Sequence, residues 1–422
     1  MKTSIKTVSS FLLALGILQG SAKAQNALQF MRPVNQDGIN VFEDPKTDTV
    51  PYTGFKVRVG GDFALQYQGL DHSSEVDTLY ELVSNFNLPT ANLNLDVQLA
   101  DGLRMHLRSY LSSRHHNETW VKGGYVQIDN LNFIKDGFLK GVMDITSVRI
   151  GLDEFNYGDA HFRRTDNARA LYNPFVGNYI MDAFSTEAFG EVTVVMNGFL
   201  GVLGLTNGKL NQNVTVDSRN NFDNKVSFYG KLGYDKQLNT DLRVRLTGSW
   251  YINHGLSTGS YLYGGDRAGS RYYSVMVPQG EADNFRSGSY NPGFKELTAF
   301  QINPFVKFKG LEFFGIYEMA LGGSADINGS FTQLAAEALY RFGSAERFYF
   351  GGRFNQVSGN QTEDAGDITI NRINVGGGWF ITKNVVAKAE YVQQTYDGDG
   401  FTSTTYQGGK FNGFMLEAAI SF

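Results

Sequence analysis

The 422-residue chain contains no cysteine and only eight prolines. The lack of cysteine excludes a disulfide framework, a cysteine-ligated zinc site, a thiol nucleophile and a cysteine-linked lipid anchor. Long apolar runs are also lacking, because no stretch after the N-terminal region approaches the roughly 18 consecutive apolar residues of a transmembrane helix. Hydrophobic residues make up 42% of the chain, slightly below the usual range for globular domains. These absences argue against a helical membrane protein.

Glycine and aromatic side chains are abundant instead. The chain has 49 Gly, 33 Phe, 22 Tyr and 3 Trp. This balance suits a large all-β protein, because aromatic residues favour strands and glycine favours turns. A soluble chain of this length usually divides into two or three domains, but no stretch has the composition of a linker. We therefore expect one large β domain.

The first residues are predicted to be a secretory signal peptide, residues 1–24. Lys2 and Lys6 form a basic start, residues 11–18 (FLLALGIL) form a short apolar run, and residues 22–24 (AKA) form a cleavage site. Eight apolar residues are too few to span the ~30 Å of a bilayer core. Without the three lysines of this region, 34 basic and 42 acidic residues remain, a net charge of −8. This charge disfavours nucleic acid as a partner.

From residue 55 onward, apolar and polar residues alternate with a period of two. Within 55–67, for example, Val57 and Val59 alternate with Arg58 and other polar residues, so the two sets lie on opposite faces of a strand. The segments are about 9 to 14 residues long, which fits the ~9–11 residues of a tilted transmembrane strand better than the ~5–6 of soluble proteins. The sixteen predicted strands are 55–69, 90–100, 103–112, 119–130, 144–152, 187–196, 199–206, 223–234, 241–253, 296–308, 311–321, 331–342, 347–357, 368–381, 385–396 and 409–422.

Short turns and long loops alternate between these strands. Asp101-Gly102 is a typical hairpin turn, whereas the loops at 153–186 and 254–295 are long. Short turns on one side and long loops on the other are typical of bacterial outer-membrane barrels. We predict an all-β fold, a transmembrane antiparallel β-barrel of about 16 strands over residues 55–422. Residues 25–54 are predicted to be a short periplasmic or lumenal segment.

The C-terminal strand alternates apolar and polar residues and ends on Phe422. This ending resembles the assembly signal of bacterial outer-membrane barrels. The resemblance implies the barrel assembly machinery as a partner that recognises Phe422.

Sixteen strands with a long third loop resemble the Gram-negative outer-membrane porin family. Residues 146–152 (TSVRIGL) are similar to the strand before the porin constriction loop, and residues 155–167 (FNYGDAHFRRTDN) are similar to the porin O/P-like group, the phosphate-selective type. The resemblance implies a water-filled channel in outer-membrane lipid for passive diffusion of small hydrophilic solutes or ions. It also implies a homotrimer. Passive diffusion needs no cofactor.

The third loop is expected to fold into the lumen and narrow it, with basic residues of the strands on the opposite wall. Rings of Arg or Lys favour anions, and rings of Asp or Glu favour cations. The predicted constriction and lining residues are Asp153, Glu154, Asp159, His161, Arg163, Arg164, Asp166, Arg58, Arg108, Arg149, Arg243 and Arg245. Because the strand-borne charges lean basic, we expect a mild anion preference. The alternative is that these charges pair with each other and only solvate a wide, weakly selective pore.

An enzyme is not expected, because the sequence contains no G-x-S-x-G, H-E-x-x-H or P-loop pattern. The adjacent His115 and His116 are expected to be solvated in a polar loop, and we predict no catalytic or metal site. The Gly-, Ser- and Tyr-rich loop 254–295 is expected to lie outside the cell surface. The alternative function is a structural, adhesive or solute-binding barrel without an open pore.

Overall fold

The computed structural model describes residues 27–47, 50–76, 78–111, 120–164, 170–209, 225–254, 262–264, 273–281, 287–323 and 328–422. The predicted signal peptide, His115 and His116 lie outside the described residues. All sixteen predicted strands are confirmed, with ends that differ by at most five residues. The strands are β1 (Lys56–Ser73), β2 (Asn85–Ala100), β3 (Leu103–Leu111), β4 (Trp120–Ile128), β5 (Thr146–Glu154), β6 (Thr186–Met196), β7 (Phe199–Thr206), β8 (Ser227–Gln237), β9 (Leu242–Asn253), β10 (Leu297–Phe308), β11 (Leu311–Gly322), β12 (Ser330–Phe342), β13 (Phe348–Asn360), β14 (Ile368–Thr382), β15 (Val385–Asp397) and β16 (Lys410–Ser421).

Each strand pairs antiparallel with its sequence neighbours, and β1 pairs with β16 to close the barrel. Leu65 lies opposite Ala418 and Tyr67 opposite Leu416 in this closing pair. Closure leaves no edge strand, so every strand finds backbone partners on both sides. Among the described residues, no helix is long and apolar enough to cross a membrane. The predicted fold class is therefore confirmed.

The two faces of the sheet are the reverse of those in a soluble protein. On β1, Val57 and Val59 are 44% and 50% exposed on the outer surface, whereas Asp62 and Gln66 are buried in the interior. The same alternation runs around the barrel. Aromatic side chains cluster on the outer surface next to the short turns, where Phe348 stacks on Trp379 at 5.7 Å between ring centroids. The outer surface is apolar. The lumen holds buried charged and polar side chains together with an apolar cluster, to which Val176 and Ile180 of the loop between β5 and β6 and Val357, Ile370 and Val392 of the wall belong.

The link 131–143 is longer than the other short-side turns because it contains a helical turn, α1 (Lys140–Met143), with Met143 buried. The N-terminal segment, residues 27–47, lies at the same end of the barrel. Gln36 N donates to the carbonyl of Lys383 in the β14–β15 turn at 2.8 Å. From this mouth the segment continues into the lumen, where the Asn40 amide donates to the carboxylate of Glu312 at 2.7 Å.

Candidate functional site

The third loop, between β5 and β6, folds into the lumen. Its described residues are buried almost throughout. Polar side chains of the wall accept hydrogen bonds from its backbone: Asn303 Oδ1 from Asp159 N at 2.8 Å, Asn355 Oδ1 from Ile180 N at 2.7 Å, and Gln333 Oε1 from Met181 N at 2.9 Å. An irregular loop needs such partners because buried backbone groups must be hydrogen-bonded. The inward-facing polar residues of the strands thus hold the loop in place.

Asp159 is the centre of one buried cluster of charges. Its carboxylate accepts hydrogen bonds from Arg245, from Lys231 and from the Thr247 hydroxyl, each at 2.8 Å. Lys231 also donates to the carbonyl of Gly158 at 2.6 Å. Burial raises the pKa of Asp159, but the positive charges of Arg245 and Lys231 outweigh it and hold the pKa well below its ordinary range. The loop is therefore bound to β8 and β9 by a charged carboxylate.

This cluster predicts a pH dependence of stability. Because the folded-state pKa of Asp159 is depressed, its charge stabilises the fold above its unfolded pKa of about 4, and this contribution is lost as the pH falls further. We expect the melting temperature of Asp159→Asn to lie below that of the unmodified protein by a constant amount between about pH 8 and pH 5, and the difference to narrow below about pH 4. Thermal melting in detergent at a series of pH values measures it. A difference that already shrinks between about pH 7 and pH 5 contradicts the assignment.

Arg163 is the centre of a second buried cluster, against the neighbouring part of the wall formed by β11 and β12. Its Nη2 donates to Glu312 Oε1 on β11 at 2.7 Å and to Glu337 Oε1 on β12 at 2.6 Å. Arg341 also binds Glu312, at 2.9 Å, and Arg353 binds Glu337, at 2.7 Å. The result is a row of five alternating charges in which the third loop supplies the middle one.

The other predicted arginines that the structure describes also have acidic partners. These pairs are Arg58–Asp96 at 2.8 Å, Arg108–Asp153 at 3.1 Å, Arg149–Glu191 at 3.9 Å, Arg164–Asp182 at 2.5 Å and Arg243–Asp235 at 2.7 Å. Arg149 also donates to the Glu154 carbonyl at 2.6 Å, and His161 Nε2 lies 3.1 Å from Asn156 Oδ1. Asp166 lies outside the described residues. Four of these pairs join residues of the strands and Arg164–Asp182 lies within the third loop, whereas Asp159 and Arg163 pair with charges of the wall. This is the paired arrangement of the alternative, and the role of these residues in a constriction stays a prediction.

Solved structures of outer-membrane proteins are similar to this chain in fold, although no sequence comparison finds a match. No protein-family model matches the sequence, and no curated protein matches it significantly. An anion-selective porin from Comamonas acidovorans is similar in structure, with a TM-score of 0.52 and 12% identity over 87% of this chain and 100% of that chain. The outer membrane channel DcaP of Acinetobacter baumannii has a TM-score of 0.52 and 9% identity over 88% and 99%. OmpT, an outer membrane protein of Vibrio cholerae, has a TM-score of 0.50 and 11% identity over 88% and 99%. The chain has the fold of an outer-membrane barrel.

The expectation that loop 254–295 lies outside the cell surface is wrong for Tyr263 and Tyr273, whereas residues 279–281 are exposed beside the β1–β2 loop. Tyr263 donates to Glu318 at 2.9 Å and Tyr273 donates to Glu390 at 2.9 Å, with both tyrosines buried in the lumen. The carboxylates on the wall attract these hydroxyls because a buried carboxylate needs donors. The composition of the loop is common in surface loops, so the sequence carried no signal of this placement.

Sequence reasoning missed five charged residues of the lumen, and four of them pair with the predicted ones. Lys231, Glu312 and Glu337 alternate on strands as ordinary polar residues, and Glu43 and Asp44 lie in a segment without periodicity.

Two cavities of about 50 Å³ each remain beside the N-terminal segment, and Arg32 and Asp44 line both. Each has room for one or two waters. Within the described ranges, no group of three or more His, Asp or Glu side chains is arranged to hold a metal ion.

Proposed function

We propose that the protein is a porin-type channel of the outer membrane, through which small hydrophilic solutes or ions diffuse passively. The observation that carries the proposal is the reversed sheet: exposed apolar side chains outside and charged side chains inside a closed barrel. An apolar outer surface suits lipid, and a closed barrel leaves no strand edge unsatisfied there. A lumen with charged side chains, narrowed by an inward loop, suits a solute path. Such a path needs no cofactor and no catalytic residue.

In this proposal, the N-terminal end of the chain directs export and the C-terminal end directs assembly of the barrel. Residues 1–24 would direct the chain across the inner membrane and be cleaved. Phe422 is half exposed, and its backbone pairs with Gly61, with its N–H donating to the Gly61 carbonyl at 3.0 Å. The exposed ring is available to the barrel assembly machinery before closure. The homotrimer is proposed from the family resemblance alone.

The ion pairs suggest weak selectivity. Because each described arginine of the predicted set lies against an acid, little uncompensated charge faces a passing ion. We propose in addition that the channel prefers anions only mildly, because the predicted arginines are compensated in this way. Single-channel recording of the purified protein in a planar bilayer under a KCl gradient tests both parts. Discrete conductance steps are expected, and a reversal potential that favours cations would remove the anion preference.

A barrel without an open pore is the second candidate. It is favoured by one observation, that the N-terminal segment, the third loop and the β9–β10 loop all enter the lumen. The same recording separates the two candidates. A folded protein that inserts but gives no conductance steps supports the closed barrel.

Leu95→Arg tests the membrane orientation. Leu95 lies on the outer surface of β2, between Val59 of β1 and Leu107 of β3. A charge there is expected to reduce the free energy of unfolding by ~2–4 kcal/mol if the site is near the bilayer midplane. Leu238→Arg is the matched control, because Leu238 is exposed in the β8–β9 turn outside the strands. Urea unfolding in lipid vesicles measures both, and equal losses at the two sites would contradict the orientation.

A further inference from the structure

Two consecutive acids of the N-terminal segment lie against basic residues of the lumen wall. Arg245 donates to both carboxylate oxygens of Glu43, at 2.7 and 2.8 Å. Lys231 Nζ lies 3.8 Å from the same carboxylate. The next residue, Asp44, accepts a hydrogen bond from Arg104 Nη2 at 2.6 Å. One short stretch of chain thus contacts cations of β8, β9 and β3.

These contacts form in a largely buried environment. The side chains of Arg245 and Lys231 are 1% and 0% exposed, and that of Glu43 is 12% exposed. Burial raises the pKa of Glu43, but the charges of Arg245 and Lys231 outweigh it and lower the pKa below its ordinary value. Glu43 is therefore ionised at neutral pH and acts as a counter-charge.

The segment completes the charge balance of two clusters. In the first, three cations face three carboxylates: Arg243, Arg245 and Lys231 against Asp159, Asp235 and Glu43. In the second, two cations face two carboxylates: Arg104 and Lys46 against Asp44 and Asp129. In the first cluster the N-terminal segment supplies the acid Glu43, and in the second it supplies both the acid Asp44 and the cation Lys46. Without Glu43 and Asp44, each would carry one net positive charge.

We propose that Glu43 and Asp44 are specificity-determining residues that reduce the anion preference of the lumen to a mild one. This inference rests on the proposed channel function. The wall strands carry Lys231, Arg243, Arg245 and Arg104, and the segment itself carries Lys46. Glu43 and Asp44 each compensate one positive charge in their cluster. If Glu43 and Asp44 are lost, the channel should conduct small anions better than small cations. With both acids present, the permeabilities of small anions and small cations should be closer to each other.

The test is the reversal potential of the double variant Glu43→Gln, Asp44→Asn under a KCl gradient. Both changes keep the size of the side chain and remove its charge. We expect the chloride-over-potassium permeability ratio to rise severalfold, because each lost carboxylate leaves a positive charge that attracts chloride and repels potassium. Each single variant is expected to give a smaller shift in the same direction. The matched control is Asp37→Asn, because Asp37 lies on the same segment but is exposed and pairs with Lys383 at the mouth, at 2.9 Å.

Removing a cation together with an acid shows whether the change in selectivity depends on charge. Adding Arg104→Gln to Asp44→Asn restores neutrality of the second cluster, so the ratio is expected to return to that of the unmodified protein. Heat-modifiable mobility on gels checks that each variant is folded, and the single variants serve if the double variant does not fold. Channels that conduct with an unchanged ratio overturn this inference and leave the channel intact. A folded unmodified protein that does not conduct overturns the proposed function, and this inference with it.

Discussion

Arg163→Met is expected to release the third loop from the wall of the barrel. Arg163 joins Glu312 and Glu337 at 2.7 and 2.6 Å, and all three side chains are at most 2% exposed. Removing one partner of a buried ion pair costs ~3–5 kcal/mol, because the other charge stays buried. Arg341 and Arg353 still compensate the two carboxylates, so we expect the lower end of this range.

Cysteine labelling measures the release directly, because the chain has no cysteine of its own. Val176, on the same loop, is 0% exposed. A thiol introduced by Val176→Cys should be protected from a maleimide in the otherwise unmodified protein and should react when Arg163→Met is added. Lys307→Met is the matched control, since Lys307 pairs with Glu346 at 2.7 Å on the wall and not with the loop. Equal protection in all three proteins would show that Arg163 does not hold the loop.

The strands could be predicted from sequence because each carries its own signal. Period-two alternation is local, and a half-buried strand shows it whatever its neighbours are. The entry of the third loop into the lumen could be expected from the resemblance to porins and not from a pattern in the loop's own residues. Their partners could not be predicted, because Glu312 and Glu337 are 149 and 174 positions from Arg163. Only closure of the barrel brings these residues together.

The two other segments in the lumen lacked any sequence signal. The N-terminal segment has no periodicity, and its hydrogen bonds join separate turns and strands, such as Gln29 to Asp101 and Asn40 to Glu312. Tyr273 sits in a loop whose composition is that of an ordinary surface loop. The positions of the N-terminal segment and of Tyr273 depend on hydrogen-bond partners that face inward from distant strands. Patterning within one segment says nothing of such partners.

Deletion of residues 27–47 is expected to raise the single-channel conductance severalfold. Two cavities of about 50 Å³ each lie against the segment, and Arg32 and Asp44 line both of them. Removal of the segment would join these cavities and open the mouth at the short-turn end. The barrel itself should still close, because none of the sixteen strand pairs includes this segment.

The deletion also separates two roles of the N-terminal segment. If the segment only narrows the lumen, the deletion should raise conductance while Glu43→Gln, Asp44→Asn leaves it nearly unchanged, since these substitutions preserve volume. Planar-bilayer recording of both variants, each first shown to be heat-modifiable, makes the comparison. A folded deletion variant with the conductance of the unmodified protein would mean that the narrowest part of the path lies at the third loop. In that case Arg163→Met should widen the path, because it releases the third loop. The two segments are in contact, since Asn40 of the N-terminal segment accepts a hydrogen bond from Arg163 of the third loop.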